Sequence, residues 1–131
     1  IHDWELLATP EGKPVLGLFW RGGITPEPEM SIVSAYTDAG INWFGPLPGR
    51  PDDVAGAAVS YTRFGDDFRR STSPGSVAAD ETTLELTYKA QIIRWLSIQA
   101  DTQLLFNPAV SPKSGSRETA VVLGLRAQIA F

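Results

Sequence analysis

The chain ends on ETAVVLGLRAQIAF, and this stretch restricts the whole fold more than any other. Val121, Leu123, Leu125, Ala127, Ile129 and Phe131 fall on one side of an extended backbone, and Gly124, Arg126, Gln128 and Ala130 on the other. Side chains that change chemistry every second residue are the mark of a pleated strand; a helix would scatter Arg126 and Gln128 among the apolar residues. Val122 is the one misfit. The row closes on an aromatic residue with nothing polar after it, so the apolar face needs a cover, either a second protein layer or lipid.

Two earlier stretches repeat the pattern. LELTYKAQI sets Leu84, Leu86, Tyr88, Ala90 and Ile92 against Glu85, Thr87, Lys89 and Gln91. LSIQADTQLLF sets Leu96, Ile98, Ala100, Thr102, Leu104 and Phe106 against Ser97, Gln99, Asp101 and Gln103, with Leu105 out of phase. A tilted strand crosses a bilayer with about 9–11 residues, and barrel strands alternate apolar outward with polar inward. All three stretches have that length and that alternation, so Leu84, Leu86, Leu96, Ile98, Leu123 and Leu125 are expected to face lipid.

The rest of the chain is consistent with the same architecture. VLGLFWRGG places Leu16, Leu18 and Trp20 opposite Gly17, Phe19, Arg21 and Gly23. SIVSAYTDAGINWFG places Val33, Ala35, Thr37, Ala39, Ile41 and Trp43 opposite Tyr36, Asp38, Gly40, Asn42 and Phe44. VAGAAVSYTRF places Ala55, Ala57, Val59 and Tyr61 opposite Gly56, Ala58, Ser60 and Thr62. Proline and glycine punctuate the connections at 24–29 and 46–53. The segments 65–80 and 107–117 read as polar loops, the first with room for a helical turn. Residues 1–14, closed by Pro10, Gly12 and Pro14, read as a lead-in with at most one short strand, and 15–131 as the body. The expectation is an all-β, antiparallel up-and-down transmembrane barrel to which this chain contributes about six strands. If Phe131 ends in the periplasm, the turns at 46–53 and 91–95 are periplasmic and the connections at 24–29, 65–80 and 107–117 external.

Among 131 residues there is no cysteine and the net charge is −4, so there is no thiolate chemistry, and no basic stripe of the kind that neutralises nucleic-acid phosphates. No run is long and apolar enough for a membrane helix, and the first residues lack the basic start and apolar core of a signal peptide, which suggests a mature or truncated product. The single histidine, His2, stands beside Asp3 with no converging ligands, so no metal or other cofactor is expected. The carboxylate pairs Asp52 and Asp53, and Asp66 and Asp67, are adjacent in sequence and point apart. Turn roles fit them better than acid and base catalysis, and no nucleophile with an orienting base is visible. The chain reads as a non-enzyme.

The inner face supplies the candidate pore-lining residues Arg21, Tyr36, Asp38, Glu85, Lys89, Gln99, Asp101, Arg126 and Gln128. Their mixed signs suit a neutral solute, because a ring of one sign selects ions; the structural alternative is that they pair across strands and hold the wall polar. Phe19, Tyr36 and Phe44 are candidates for stacking on a sugar ring or for packing. Arg50, Asp52 and Asp53 are expected to lock the periplasmic turn.

GLFWRGG, DAGINWFGPLPGRPDDVAGAAVSYTRF, ETTLELTYKAQIIRWLSIQADTQLLFNP and VLGLRAQIAF together resemble the C-terminal part of the carbohydrate-selective porins, the OprB-like family. The resemblance covers most of residues 15–131. Ala100 stands where the family pattern usually has proline, and AVSPKSGS replaces a glycine-rich stretch. The resemblance implies a Gram-negative outer-membrane barrel of about sixteen strands that passes small sugars by diffusion. Its partners would be sugars, outer-membrane lipid and the assembly machinery, with a homo-oligomer left open. Phe131 resembles the terminal aromatic read by that machinery; its deletion is expected to lower the amount of full-length protein reaching the outer membrane, and equal amounts would contradict the signal. About six strands cannot close a barrel, so either further strands belong to the same chain or several copies share one wall. Two other readings stay open: a soluble lipocalin-like barrel with the polarity inverted and one small ligand inside, and a structural outer-membrane barrel without transport.

Overall fold

The computed structural model describes residues 2–27, 30–71, 79–108 and 119–130. Seven strands, β1 (His2–Ala8), β2 (Pro14–Ile24), β3 (Val33–Phe44), β4 (Val54–Phe64), β5 (Asp80–Ile93), β6 (Leu96–Phe106) and β7 (Thr119–Ile129), form one sheet in chain order. Every neighbouring pair is antiparallel. One short helix, α1 (Asp66–Ser71), follows β4. The meander follows from hydrophobic alternation interrupted by proline and glycine, since short connections between strands force antiparallel neighbours.

The strand count is seven, not six. His2–Ala8 pairs with β2 from His2↔Trp20 to Ala8↔Pro14, and a register shift between Glu5 and Leu7 breaks the period that would have revealed the strand. The proline and glycine cluster after it is a hairpin turn. Thr9 N donates to Lys13 O at 2.8 Å and Gly12 N to Thr9 O at 2.9 Å, with Gly12 at φ 78°. That is left-handed backbone, where a Cβ is strained.

The register keeps chemistry constant across the sheet. Leu18, Ile41, Ala57, Leu86, Thr102 and Leu123 follow one another from strand to strand. So do Trp20, Ala39, Val59, Leu84, Leu104 and Val121. The two out-of-phase residues, Leu105 and Val122, fall on the other face, opposite Ala120 and Gln103. A slip of one residue on any strand would move its whole apolar row to the polar face, so the pattern fixes the register.

This sheet has no ordinary core. Among the described residues Phe64 is the one buried hydrophobic side chain, packed 6.1 Å from Phe68 of α1 at the base of a long connection. Leu123 and Leu125 are 76% and 79% exposed. A continuous apolar face of this size marks an interaction surface. From Leu96 to Phe106, at about 3.4 Å per residue, a strand runs roughly 34 Å; tilted by about 40° it rises roughly 26 Å, close to the height of the apolar band on a membrane barrel. Trp43 and Trp95 lie toward one end of this face, and Trp20, Tyr61 and Phe106 toward the other, all exposed.

The connections at 9–13, 45–53 and 94–95 lie at one end of the sheet, and the C-terminal ends of β2, β4 and β6 meet the starts of β3, β5 and β7 at the other. The 45–53 connection is no shorter than 25–32, but it is folded back on itself: Gly45 N donates to Asp53 O at 2.8 Å and Arg50 N to Leu47 O at 3.1 Å. In α1, Asp66 pairs with Arg69 at 3.1 Å and Asp67 with Arg70 at 3.5 Å, one turn apart, so these carboxylates serve the helix.

Candidate functional site

The polar face carries the charged and hydrogen-bonding side chains that the sequence offers as pore-lining candidates. Its floor is set by small residues on β3 and β4, Gly40, Gly56 and Ala58, over which longer side chains from neighbouring strands lie. The Phe19 ring occupies the space above Gly40: a Cβ there would stand 2.6 Å from two of its carbons. Asp101 lies across Gly124 in the same way. The sequence needs glycine at such positions because adjacent strands are about 4.8 Å apart and a neighbouring side chain claims the volume.

Arg21 and Asp38 are directly opposed on β2 and β3 and form a two-pronged pair, Nε to Oδ1 at 3.0 Å and Nη2 to Oδ2 at 2.5 Å. Fork against carboxylate is the strongest geometry open to this pair. The guanidinium carbon also sits 5.2 Å from the Phe19 ring centre, a cation against an aromatic face. Tyr36, the next inward residue of β3, spreads its ring over Gly23.

The other candidates lie on β5, β6 and β7. Lys89, Gln99 and Arg126 follow one another across the three strands. One row away toward the opposite end come Thr87, Asp101 and Gly124, and beyond them Glu85, Gln103 and Val122. Gln103 Nε2 donates to Glu85 Oε2 at 2.8 Å. Gln128 sits opposite Ser97, toward the end that carries the 94–95 turn. Two groups therefore form: Arg21, Tyr36 and Asp38 on β2 and β3, and Glu85, Lys89, Gln99, Asp101, Arg126 and Gln128 on β5 to β7. Both signs are present in the second group, and Arg21 is neutralised by Asp38.

The 45–53 turn is locked by Asp53, which is 1% exposed. Its Oδ2 accepts from Arg50 Nε at 2.7 Å and from Tyr88 Oη at 2.5 Å, and its Oδ1 from Gln91 N at 2.9 Å. Asp52, which the sequence groups with Arg50 and Asp53, is exposed; the adjacent residue takes the arginine instead. Tyr88 and the Gln91 amide carry no local signal for this role. Only the pairing Val54↔Lys89 brings them beside the turn. Phe131 lies outside the described residues. His2 stacks on Trp4 at 5.5 Å and Trp20 at 6.1 Å on the apolar face, away from the polar one.

Arg50 is the largest cause of a lowered Asp53 pKa, helped by Tyr88 and Gln91 and opposed by burial; the carboxyl is held down from 3.8 to about 2. A group whose folded value lies below its unfolded one stabilises the fold above the unfolded value and loses that contribution as pH falls through the interval. The turn is therefore expected to hold above about pH 4 and to loosen toward about pH 2. Hydrogen-exchange protection of the Gln91 amide reads this: it should drop over that interval and be independent of pH in Asp53→Asn. Equal protection at both ends of the interval would contradict it.

A search of curated proteins gives no match. The high-pH structure of Pseudomonas putida OprB superposes with a TM-score of 0.72 at 23% identity, over 88% of this chain and 30% of that one. The likeness is one of fold, and the present chain spans less than a third of that structure's length. The model of the carbohydrate-selective porin, OprB family, matches residues 6–131. With the match running from within β1 to the end of β7 and the sheet following that porin's fold, the chain belongs to the OprB family of carbohydrate-selective porins.

Proposed function

We propose that these seven strands are one section of the wall of a Gram-negative outer-membrane porin through which small neutral sugars diffuse passively. The separation of chemistry by face carries the reading: leucine, valine, alanine and tryptophan on one side, and a polar wall of both charge signs on the other. In this arrangement the apolar face meets lipid, and Arg21, Tyr36, Asp38, Glu85, Lys89, Gln99, Asp101, Arg126 and Gln128 line the lumen. The Arg50 and Asp53 turn lies on the periplasmic side, and the connections at 25–32, 65–79 and 107–118 lie outside.

A wall with balanced charge disfavours strong ion selection, since that needs a ring of one sign. The Arg21 and Asp38 pair supports this, because each cancels the other's field at short range. The chemistry asked of the channel is binding without reaction, and its residues supply hydrogen-bond donors and acceptors rather than a nucleophile and base. The test is liposome swelling with the complete barrel that contains these strands. Isosmotic glucose is expected to enter faster than a disaccharide, and with no dependence on a proton or ion gradient. Glucose entry at the rate of empty liposomes would overturn the reading in favour of a structural barrel.

A further inference from the structure

We propose that a cup of about 410 Å³ on the apolar face, enclosed by Trp20, Ile24 and Tyr61, retains one acyl chain of a membrane lipid. The inference rests on the lipid-facing reading above and adds a place where a single chain is held instead of exchanging freely. Gly22, Ala35 and Thr37 form the floor. The register sets Gly22, Thr37 and Tyr61 in one row and Ile24 and Ala35 in the next. Small residues on β2 and β3 thus leave a space that larger ones around them enclose.

The walls are fixed before anything enters. Trp20 Nε1 donates to Thr37 Oγ1 at 2.9 Å, and His2 stacks on the indole from the β1 side at 6.1 Å. The indole leans over Gly22, where a Cβ would stand 3.1 Å from its Cζ2. The same bonds keep the cup dry. Thr37 Oγ1 donates in turn to Arg21 O at 3.1 Å, and Tyr61 Oη donates to Asp80 Oδ2 at 3.3 Å. A held water needs about two to four polar partners, whereas the side-chain donors of Trp20, Thr37 and Tyr61 are already spent within the sheet. Hydrocarbon is the filling that remains.

Its depth selects the same occupant. Leu18 shares the row of Leu86 at the middle of the apolar face. From Leu18 to Gly22 the strand advances about 14 Å, and tilted by about 40° it rises roughly 10 Å, inside the half-height of about 12 Å of a barrel's apolar band. The cup therefore meets the hydrocarbon just below the headgroups, and charge begins beyond it, where Arg63 stands opposite Asp80. Lipid tails are as apolar as leucine, so packing, not hydrophobicity, distinguishes one position on this face from another. A chain lying over Leu123 and Leu125 touches protein on one side, while a chain in the cup touches the indole, the Tyr61 ring and Ile24 on three. A flat sheet from a second copy would rest on Ile24 and Tyr61 and leave the cup empty; a flexible chain follows its shape.

Photo-crosslinking tests the proposal, with the complete barrel in phosphatidylcholine vesicles that hold a small fraction of the same lipid carrying a diazirine in the upper half of one saturated chain. Adducts are mapped by mass spectrometry on 20–24 and 35–37 and compared with those on 121–125, which serve as ordinary lipid contact. The cup residues are expected to be labelled about threefold or more above the ratio set by exposure alone, the effect of a modest gain in packing. Ala35→Phe, which fills the cup, should return the ratio to the exposure value. Ala57→Phe adds the same ring to the apolar face outside the cup and should leave the ratio as in the parent, and unchanged adducts on 121–125 show that both barrels have formed. Labelling in proportion to exposure in the parent, or enrichment that survives Ala35→Phe, would overturn the retained chain and leave the lipid-facing reading standing. Labelling of the cup below its exposure would overturn it in favour of a second copy covering that face. No adducts on either stretch would overturn the lipid-facing reading itself.

Discussion

Leu86→Arg is expected to destabilise the bilayer-inserted barrel by about 2–4 kcal/mol, the cost of an arginine on the lipid face near the membrane midplane. Leu86 is the most telling position because the register places it in the middle of the apolar face. The rows of Tyr88 and Ala90 lie on one side of it and those of Leu84 and Thr82 on the other. It is 54% exposed in the sheet, so the substitution creates no cavity and its cost reports the environment that covers the face. Gln128→Arg places the same charge on the polar face, where water and neighbouring polar groups solvate it, and little change is expected. Detergent-to-bilayer folding titrations of the two variants make the comparison. Equal, small effects would show that the apolar face does not meet hydrocarbon.

The second large effect concerns closure. Residues 1–131 by themselves should give no stable unitary conductance in a planar bilayer, because β1 and β7 each have one paired neighbour and leave an edge of unpaired backbone groups. Each N–H or C=O left without a partner in hydrocarbon costs several kcal/mol, so an open sheet of seven strands aggregates, associates with copies or takes up further strands. Size-resolved reconstitution followed by single-channel recording separates these outcomes from a monomeric pore. A reproducible conductance from a monomer of residues 1–131 would contradict the account.

The sequence carried the face assignment better than it carried the strand count. In β5, β6 and β7 the alternation runs almost unbroken for the length of each strand, and those positions pair row for row in the sheet. β1 was hidden for a local reason: the irregularity between Glu5 and Leu7 sets two leucines side by side, and the proline and glycine cluster that follows closes a hairpin rather than ending a lead-in. The turn lock shows a different limit. Arg50 and an aspartate are legible as partners from PGRPDD, but choosing Asp53 over Asp52 requires knowing that Tyr88 and the Gln91 amide stand beside it. That information resides in pairing between segments far apart in the chain.

Whether one face of this sheet meets lipid and the other water is directly measurable, because residues 1–131 hold no native cysteine. Single cysteines placed in the complete barrel at 84, 85, 86, 98, 99, 123, 125 and 126 can carry spin labels. Their relaxation by oxygen, which concentrates in lipid, is then compared with relaxation by a water-soluble nickel complex. Labels at 84, 86, 98, 123 and 125 should favour oxygen, and those at 85, 99 and 126 the nickel complex, with a period of two along each strand. The same period in the opposite phase would invert the barrel into one with an apolar interior, and no period at all would contradict the lipid-facing account.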